Sequence, residues 1–229
     1  MEYREAWDLQ SRLVSARKDR HLDRDIILIL EHPPVFTLGR RGGLANLRVP
    51  ESFLEERGIK IIHVERGGDI TYHGPGQLVV YPIMDLRLGR FKVVDFVGLL
   101  EEVMIRTLSD WGITGVSNPK NRGVWVAEKK IGSIGIAVRR DVSFHGIALN
   151  VNVSLEPFNW INTCGLKGVK ITSMKQILGK EIAMEDIRHA ISLHLREVLG
   201  IKLEEVDLVD VNRILSNGEK TPAEGTISF

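Results

Sequence analysis

Cys164 is the one cysteine in the chain and the best nucleophile the sequence offers. Sulfur at neutral pH is intrinsically more nucleophilic than a hydroxyl, and a neighbouring cation raises its thiolate fraction further. It lies in Asn162-Thr163-Cys164-Gly165, and two other segments could give the thiol a setting. The first, residues 66–77, opens with Arg66, Gly67, Gly68, Asp69, Ile70, Thr71, Tyr72 and His73, and closes with Gly74, Pro75, Gly76 and Gln77. The second is Lys130-Ile131-Gly132-Ser133-Ile134-Gly135, followed closely by His145 and Gly146.

Glycines let a backbone turn sharply and approach a ligand without interference from a Cβ. Residues 66–77 lack the Gly-Lys-Ser/Thr ending of a Walker loop and the spacing of a dinucleotide fingerprint. A hairpin with a glycine-rich turn would account for the glycines alone. Arg66, Tyr72, His73 and Gln77 are polar groups that such a turn does not need. Lys130 starts a strand-like segment, with Ser133 and Gly135 at alternating positions beyond it. A lysine that faces inward, where burial disfavours the charged form, can exchange protons near neutrality. Its neighbour Lys129 reads as a solvated surface lysine. His145 and His32 read first as core residues with satisfied hydrogen bonds. No Cys-x-x-Cys or His-Glu-x-x-His occurs, and His32, His63, His73 and His145 are scattered without ligand spacing, so no metal is expected.

Taken together, these blocks resemble the lipoyl(octanoyl) transferases, acyltransferases of lipoate biosynthesis. Residues 66–77 are similar to that family's glycine-rich block, 130–135 to its lysine segment, 143–152 to the strand that follows, and Cys164-Gly165 to its nucleophile. Glu31-His32-Pro33 and Thr37-Leu38-Gly39-Arg40 fit as well, so the resemblance spans about residues 31–174. It implies a fold like the catalytic domain of biotin and lipoate protein ligases. It also implies a cytoplasmic enzyme whose donor is an octanoyl group on the phosphopantetheine of acyl carrier protein. The acceptor it implies is a lysine of lipoyl domains, in 2-oxoacid dehydrogenase complexes or the glycine cleavage H protein. By the same resemblance Cys164 carries the acyl thioester and Lys130 adjusts its ionisation. Arg66, Gly67, Gly68, Asp69, Ile70, Thr71, Tyr72, His73, Ser133, Ile134, Gly135, Gly146, Ile147 and Ala148 line the acyl site, with His32 and His145 as further candidates. Neither ATP nor metal is called for, because a thioester is already an activated acyl group.

Three rivals remain open. An ATP-dependent lipoate or biotin ligase shares a glycine-rich block and a lysine, but has no need of Cys164. An inert binder of lipoyl domains or acyl carriers would bury the thiol. A cysteine hydrolase is weaker, because no Cys-His-Asn arrangement in family spacing appears. Lys167, Lys170 and Lys175 follow Cys164 closely, either as an attractive surface for an acidic carrier or as an ordinary solvated face.

The elements that must position these groups are legible in outline. An amphipathic helix is expected over residues 3–20 and a buried strand over 26–30. Pro33 and Pro34 are expected to stop regular pairing, and residues 40–43 to form a mobile loop. A short helix at 50–56, strands at 59–64 and 78–83, and a long helix at 93–111 follow. Short strands at 124–127, 131–138 and 147–153 read as an antiparallel meander, then a loop at 159–170 carries the cysteine. A helix covers 184–199, and the tail from Asn217 is expected to fray. The fold class is α+β: one domain over 1–229, motif-bearing from about 26 to 200, with helices on a mixed, largely antiparallel sheet.

Composition sets the frame. The chain has 229 residues, 43% hydrophobic and 27% charged, with a formal net charge of +1. Bulk electrostatics therefore gives no support for nucleic acid or a membrane surface as partner. One cysteine allows no internal disulfide, and residues 1–5 lead into no signal-peptide core, so a soluble cytoplasmic protein is expected.

Overall fold

The computed structural model describes residues 1–88, 91–163, 168–217 and 226–228. Helix α1 (Tyr3–Lys18) buries Ala6, Leu9, Leu13 and Val14, the helical stripe seen in the sequence. It is followed by β1 (Ile26–Leu30), in which all five residues are buried, and β2 (Val35–Leu38). The short α2 (Glu51–Glu55) leads into β3 (Lys60–His63), β4 (Ile70–His73) and β5 (Gln77–Ile83). Next come α3 (Val93–Ser109), β6 (Val116–Ser117), β7 (Val124–Val126), β8 (Lys129–Arg139) and β9 (Val142–Asn150). The chain ends through β10 (Lys170–Ile171), α4 (Met174–Leu178), α5 (Met184–Leu199), β11 (Leu203–Glu205), α6 (Leu208–Asn217) and β12 (Thr226–Ser228).

The large sheet has the order β11-β12-β1-β5-β9-β8-β7-β6, with β10 beside β8. Pairing is antiparallel through its centre and parallel only where β12 and β10 join, so the expected mixed, largely antiparallel sheet with helices is observed. Helices cover both faces. Ile27, Leu78, Val80, Ile147 and Leu149 pack toward α3 and α5, whereas Ile26, Leu28, Val79, Tyr81 and Ala148 pack toward α1. A strand buried on both faces has no polar side to show, which is why residues 26–30 read as an unbroken apolar run.

Three expectations need correction. The prolines at 33 and 34 interrupt pairing only briefly, because β2 begins at Val35 and pairs with both β3 and β4 in a second, three-stranded sheet. Residues 40–43 are not loose: the Arg40 and Arg41 N–H groups donate to the Arg66 and Gly68 carbonyls, at 3.0 and 3.1 Å. The tail does not fray uniformly, since β12 runs parallel to both β1 and β11. A strand edge left open by β1 supplies the hydrogen-bonding groups that order it.

Candidate active site

The glycine block joins the two sheets. Gly67 N–H donates to the Ile136 carbonyl on β8 at 3.1 Å, stitching the connection before β4 to the large sheet. Gly39 must also be glycine, because a Cβ there would lie 2.6 Å from the Gly68 carbonyl and 2.9 Å from Arg66 Nη1. Arg66 itself is buried. Its Nη2 donates to the Thr37 carbonyl and hydroxyl at 2.7 and 2.8 Å, and its Nη1 donates to the Gly67 carbonyl at 3.1 Å.

A cavity lies in this joint. Arg66, Gly67, Gly68, Asp69, Ile70, Thr71 and His73 form one wall; Ser133, Ile134, Gly135, Gly146, Ile147 and Ala148 form the other. The floor adds Tyr3 from α1, Val79 and Tyr81 from β5, and His145 from β9. Tyr72 is not among the lining residues. It alternates away from the cavity along β4 and packs against Phe36 and Phe158, at ring-centroid distances of 5.2 and 5.5 Å.

Chemically the floor is polar but mostly uncharged. Burial, reinforced by His32 and Arg66, pushes His73 well below the ordinary imidazole range, and its Nδ1 lies 2.7 Å from Gln77 Oε1. Burial and the Arg66 charge likewise hold His145 down to about 4, against the opposing pull of Glu65. Tyr3 is pushed up to about 12 by burial. His32 does not line the cavity but supports it: its Nε2 lies 2.8 Å from the Tyr81 hydroxyl and its Nδ1 2.9 Å from the Met1 carbonyl. His32 is thus the core residue with satisfied hydrogen bonds that its context suggested.

His145 is buried but is not satisfied. Neither ring nitrogen has a hydrogen-bond partner among the described residues, and the nearest carboxylate oxygen, of Glu65, is 3.7 Å away. The residue also has φ +54° within a strand, a conformation that costs a non-glycine residue about 1–3 kcal/mol. Its backbone N–H is held at 2.7 Å by Gln10 Oε1 from α1.

Lys130 faces inward, 4% exposed. Its Nζ donates to the Arg122 carbonyl at 2.7 Å and lies 5.5 Å from the centre of the Trp125 ring. The carbonyl that holds it is fixed by a residue that sequence reasoning missed. Glu101 on α3 is 2% exposed and accepts from Gly123 N–H at 2.7 Å and from Arg122 Nη1 at 2.9 Å. The signal was present, because Glu101 sits in register with the apolar stripe of Val97, Met104 and Leu108. Tyr3 and Tyr81 carried no such signal, since each reads as an ordinary core aromatic. Lys130 lines a second, open groove that shares Gly67, Gly68, Asp69, Ile134 and Gly135 with the cavity. The two spaces therefore meet at those residues.

Cys164 and Lys167 lie outside the described residues. On the near side Thr163 is buried. On the far side Ile171 pairs with Lys130, and the Thr172 N–H donates to the Lys130 carbonyl at 2.9 Å. Of the expected lysine cluster, Lys170 is exposed, whereas Lys175 is paired with Glu181 at 2.7 Å.

The catalytic-domain model of lipoyl protein ligases A and B matches residues 2–196. An octanoyltransferase of Desulfotalea psychrophila is 48% identical over 193 residues, covering 83% of this chain and 86% of the relative. An octanoyltransferase of Syntrophobacter fumaroxidans is 46% identical over 217 residues, 95% of each protein. Among solved structures, a bi-partite lipoate protein ligase from Thermoplasma acidophilum superposes with TM-score 0.72 at 16% identity, covering 94% of this chain and 88% of that one. A lipoate-protein ligase A bound with ATP gives TM-score 0.69 at 17% identity, covering 91% and 88%. At such identities the likeness is one of fold.

Proposed function

The chain belongs to the lipoyl protein ligase A/B catalytic-domain family, and from that premise we propose that it is an octanoyltransferase of lipoate biosynthesis. It takes an octanoyl group from the phosphopantetheine of acyl carrier protein and delivers it to a lysine of a lipoyl domain. The acceptors are 2-oxoacid dehydrogenase complexes or the glycine cleavage H protein, and the setting is cytoplasmic. The observation that carries the reading is the cavity walled by the glycine block and by β8 and β9, beside the groove that Lys130 lines.

Transfer proceeds in two exchanges. The Cys164 thiolate attacks the donor thioester carbonyl, a carbon–sulfur bond forms, and the pantetheine thiolate leaves and takes a proton. The acceptor amine then attacks the new thioester, the Cys164 thiolate leaves, and an amide remains after the amine gives up its proton. Lys130 moves those protons as general base. Its hold on the Arg122 carbonyl keeps the amine beside the groove. No ATP and no metal takes part, since the donor thioester supplies the driving force.

The polar floor limits the chain. A longer acyl tail would have to press methylenes against Tyr3, Tyr81 and His145, whereas a shorter tail loses about 0.8 kcal/mol of burial per methylene. Exposure to octanoyl-acyl carrier protein should add one octanoyl mass to the wild-type protein and none to Cys164→Ala. An adduct that survives the substitution, or transfer that requires ATP, would sink the proposal.

A further inference from the structure

Resting on the octanoyltransferase reading, we propose that the open groove beside the acyl cavity is the seat of the donor's phosphopantetheine arm, with Arg41 and Lys120 binding its phosphate. The groove meets the cavity at Gly67, Gly68, Asp69, Ile134 and Gly135, which line both, and Lys130 borders the groove. A thioester carbon placed at that junction has its acyl tail in the cavity, so the pantetheine chain must leave through the groove. The groove's other lining residues include three cations, Arg41, Lys120 and Arg122.

These cations differ in availability. Arg122 is committed in part to Glu101 at 2.9 Å. Arg41 and Lys120 are exposed, and among the described residues their side chains make no ion pair and no hydrogen bond. The backbone of Arg41 is nevertheless fixed, because its N–H donates to the Gly68 carbonyl at 3.1 Å. Lys120 is placed by a turn in which its N–H donates to Asn118 Oδ1 at 3.0 Å. Two unpaired cations on anchored backbone, facing one groove, suit a phosphodiester better than a neutral chain. The opposing charge is Asp69, whose oxygens are occupied by Asn46 Nδ2 at 2.9 Å and the Ile70 N–H at 2.6 Å. It sits at the junction end, where the uncharged part of the arm would lie.

The occupant is the arm of a carrier protein. Val93 at the start of α3 also lines the groove and is 45% exposed, so the lining combines apolar and basic groups. An acidic carrier helix meets both needs at once.

The experiment compares self-acylation of the full chain by octanoyl-4′-phosphopantetheine and by octanoyl-pantetheine, which differ only in the phosphate. Rates are read by intact mass at subsaturating donor and 50 mM salt. Wild type should prefer the phosphorylated donor by about tenfold, and Arg41→Gln with Lys120→Gln should bring the ratio near one. Because both side chains are solvent-exposed, the single variants provide intermediate ratios should the double variant be poorly soluble. Acylation with no phosphate preference, or a ratio unmoved by the substitutions, would overturn the groove assignment alone. Absence of any adduct from both small donors and from octanoyl-carrier protein would overturn the assignment together with the function on which it rests.

Discussion

A methyl group on residue 135 would lie 3.0 Å from the Gly67 carbonyl and 3.1 Å from Arg66 Cδ. Both neighbours belong to the cavity wall, so the wall and not the sheet must give way. At Gly146 a Cβ would collide with the Val80 carbonyl of β5, and the central pairing of the large sheet would have to shift. The two substitutions therefore separate site from scaffold. Gly135→Ala should lower kcat/KM for octanoyl transfer at least tenfold while the urea midpoint moves little. Gly146→Ala should cost about 1–3 kcal/mol of stability, as overpacking in a tight interior does. Equal effects of both on activity and midpoint would contradict this division. Neither role was legible from spacing, because a glycine in a strand signals only that something approaches closely. Which partner approaches is decided by a chain segment almost seventy residues earlier.

On the scale of elements, α3 does two jobs at once. Its stripe of Phe96, Leu100, Val103, Met104 and Leu108 packs on the large sheet, and Glu101 reaches from the same face to the turn before β7. That turn presents the Arg122 carbonyl to Lys130. Replacing the carboxylate with Leu leaves the buried Gly123 N–H without an acceptor, at about 1–3 kcal/mol. Glu101→Gln keeps an acceptor there and loses only the charge. The unfolding midpoint should fall in the order wild type, Gln, Leu, and the pH profile of transfer should move in the Leu variant, where the Lys130 anchor is released. An unchanged profile in Glu101→Leu would show that the clamp does not position the lysine. The helices and the meander were readable because amphipathic stripes and short β-branched runs are local signals. Strand β2 was not, because Pro33 and Pro34 precede it and its pairing depends on β3 and β4, over twenty residues away. Strand β12 escaped for the same reason: its partner β1 lies at the other end of the chain.

At the scale of the whole molecule, one cluster ties together α1, both sheets and the cavity. Tyr3 comes from α1, His32 follows β1, His73 belongs to the small sheet, and Tyr81 and His145 belong to the large one. Their rings form a chain of contacts: Tyr3–His32 at 4.9 Å, His32–His73 at 5.8 Å and Tyr81–His145 at 6.2 Å. Burial holds His32 down to about 4, aided by the N-terminal charge and opposed by the Met1 carbonyl. His145 is also held at about 4. As pH drops below about 6.5 the unfolded chain takes up protons that the native cluster refuses, so stability must fall with pH until about 4. Each of the two histidines contributes on the order of 3 kcal/mol to that loss. Above about pH 7.5 both states carry neutral rings and the contribution is flat. Carboxylates titrate in the same acidic range, so the informative quantity is the difference between proteins. Urea midpoints between pH 4.5 and 7.5 should slope steeply in the wild type and less so in a variant carrying His32→Gln with His145→Gln. Because the cluster spans both sheets, the acid-weakened protein should lose the cavity together with the fold, with activity and far-ultraviolet circular dichroism declining over one transition. Identical slopes in the two proteins would show that the histidines are not what makes the joint acid-sensitive. Activity vanishing well before the circular dichroism signal would show that the cluster does not bind the site and the scaffold into one cooperative unit.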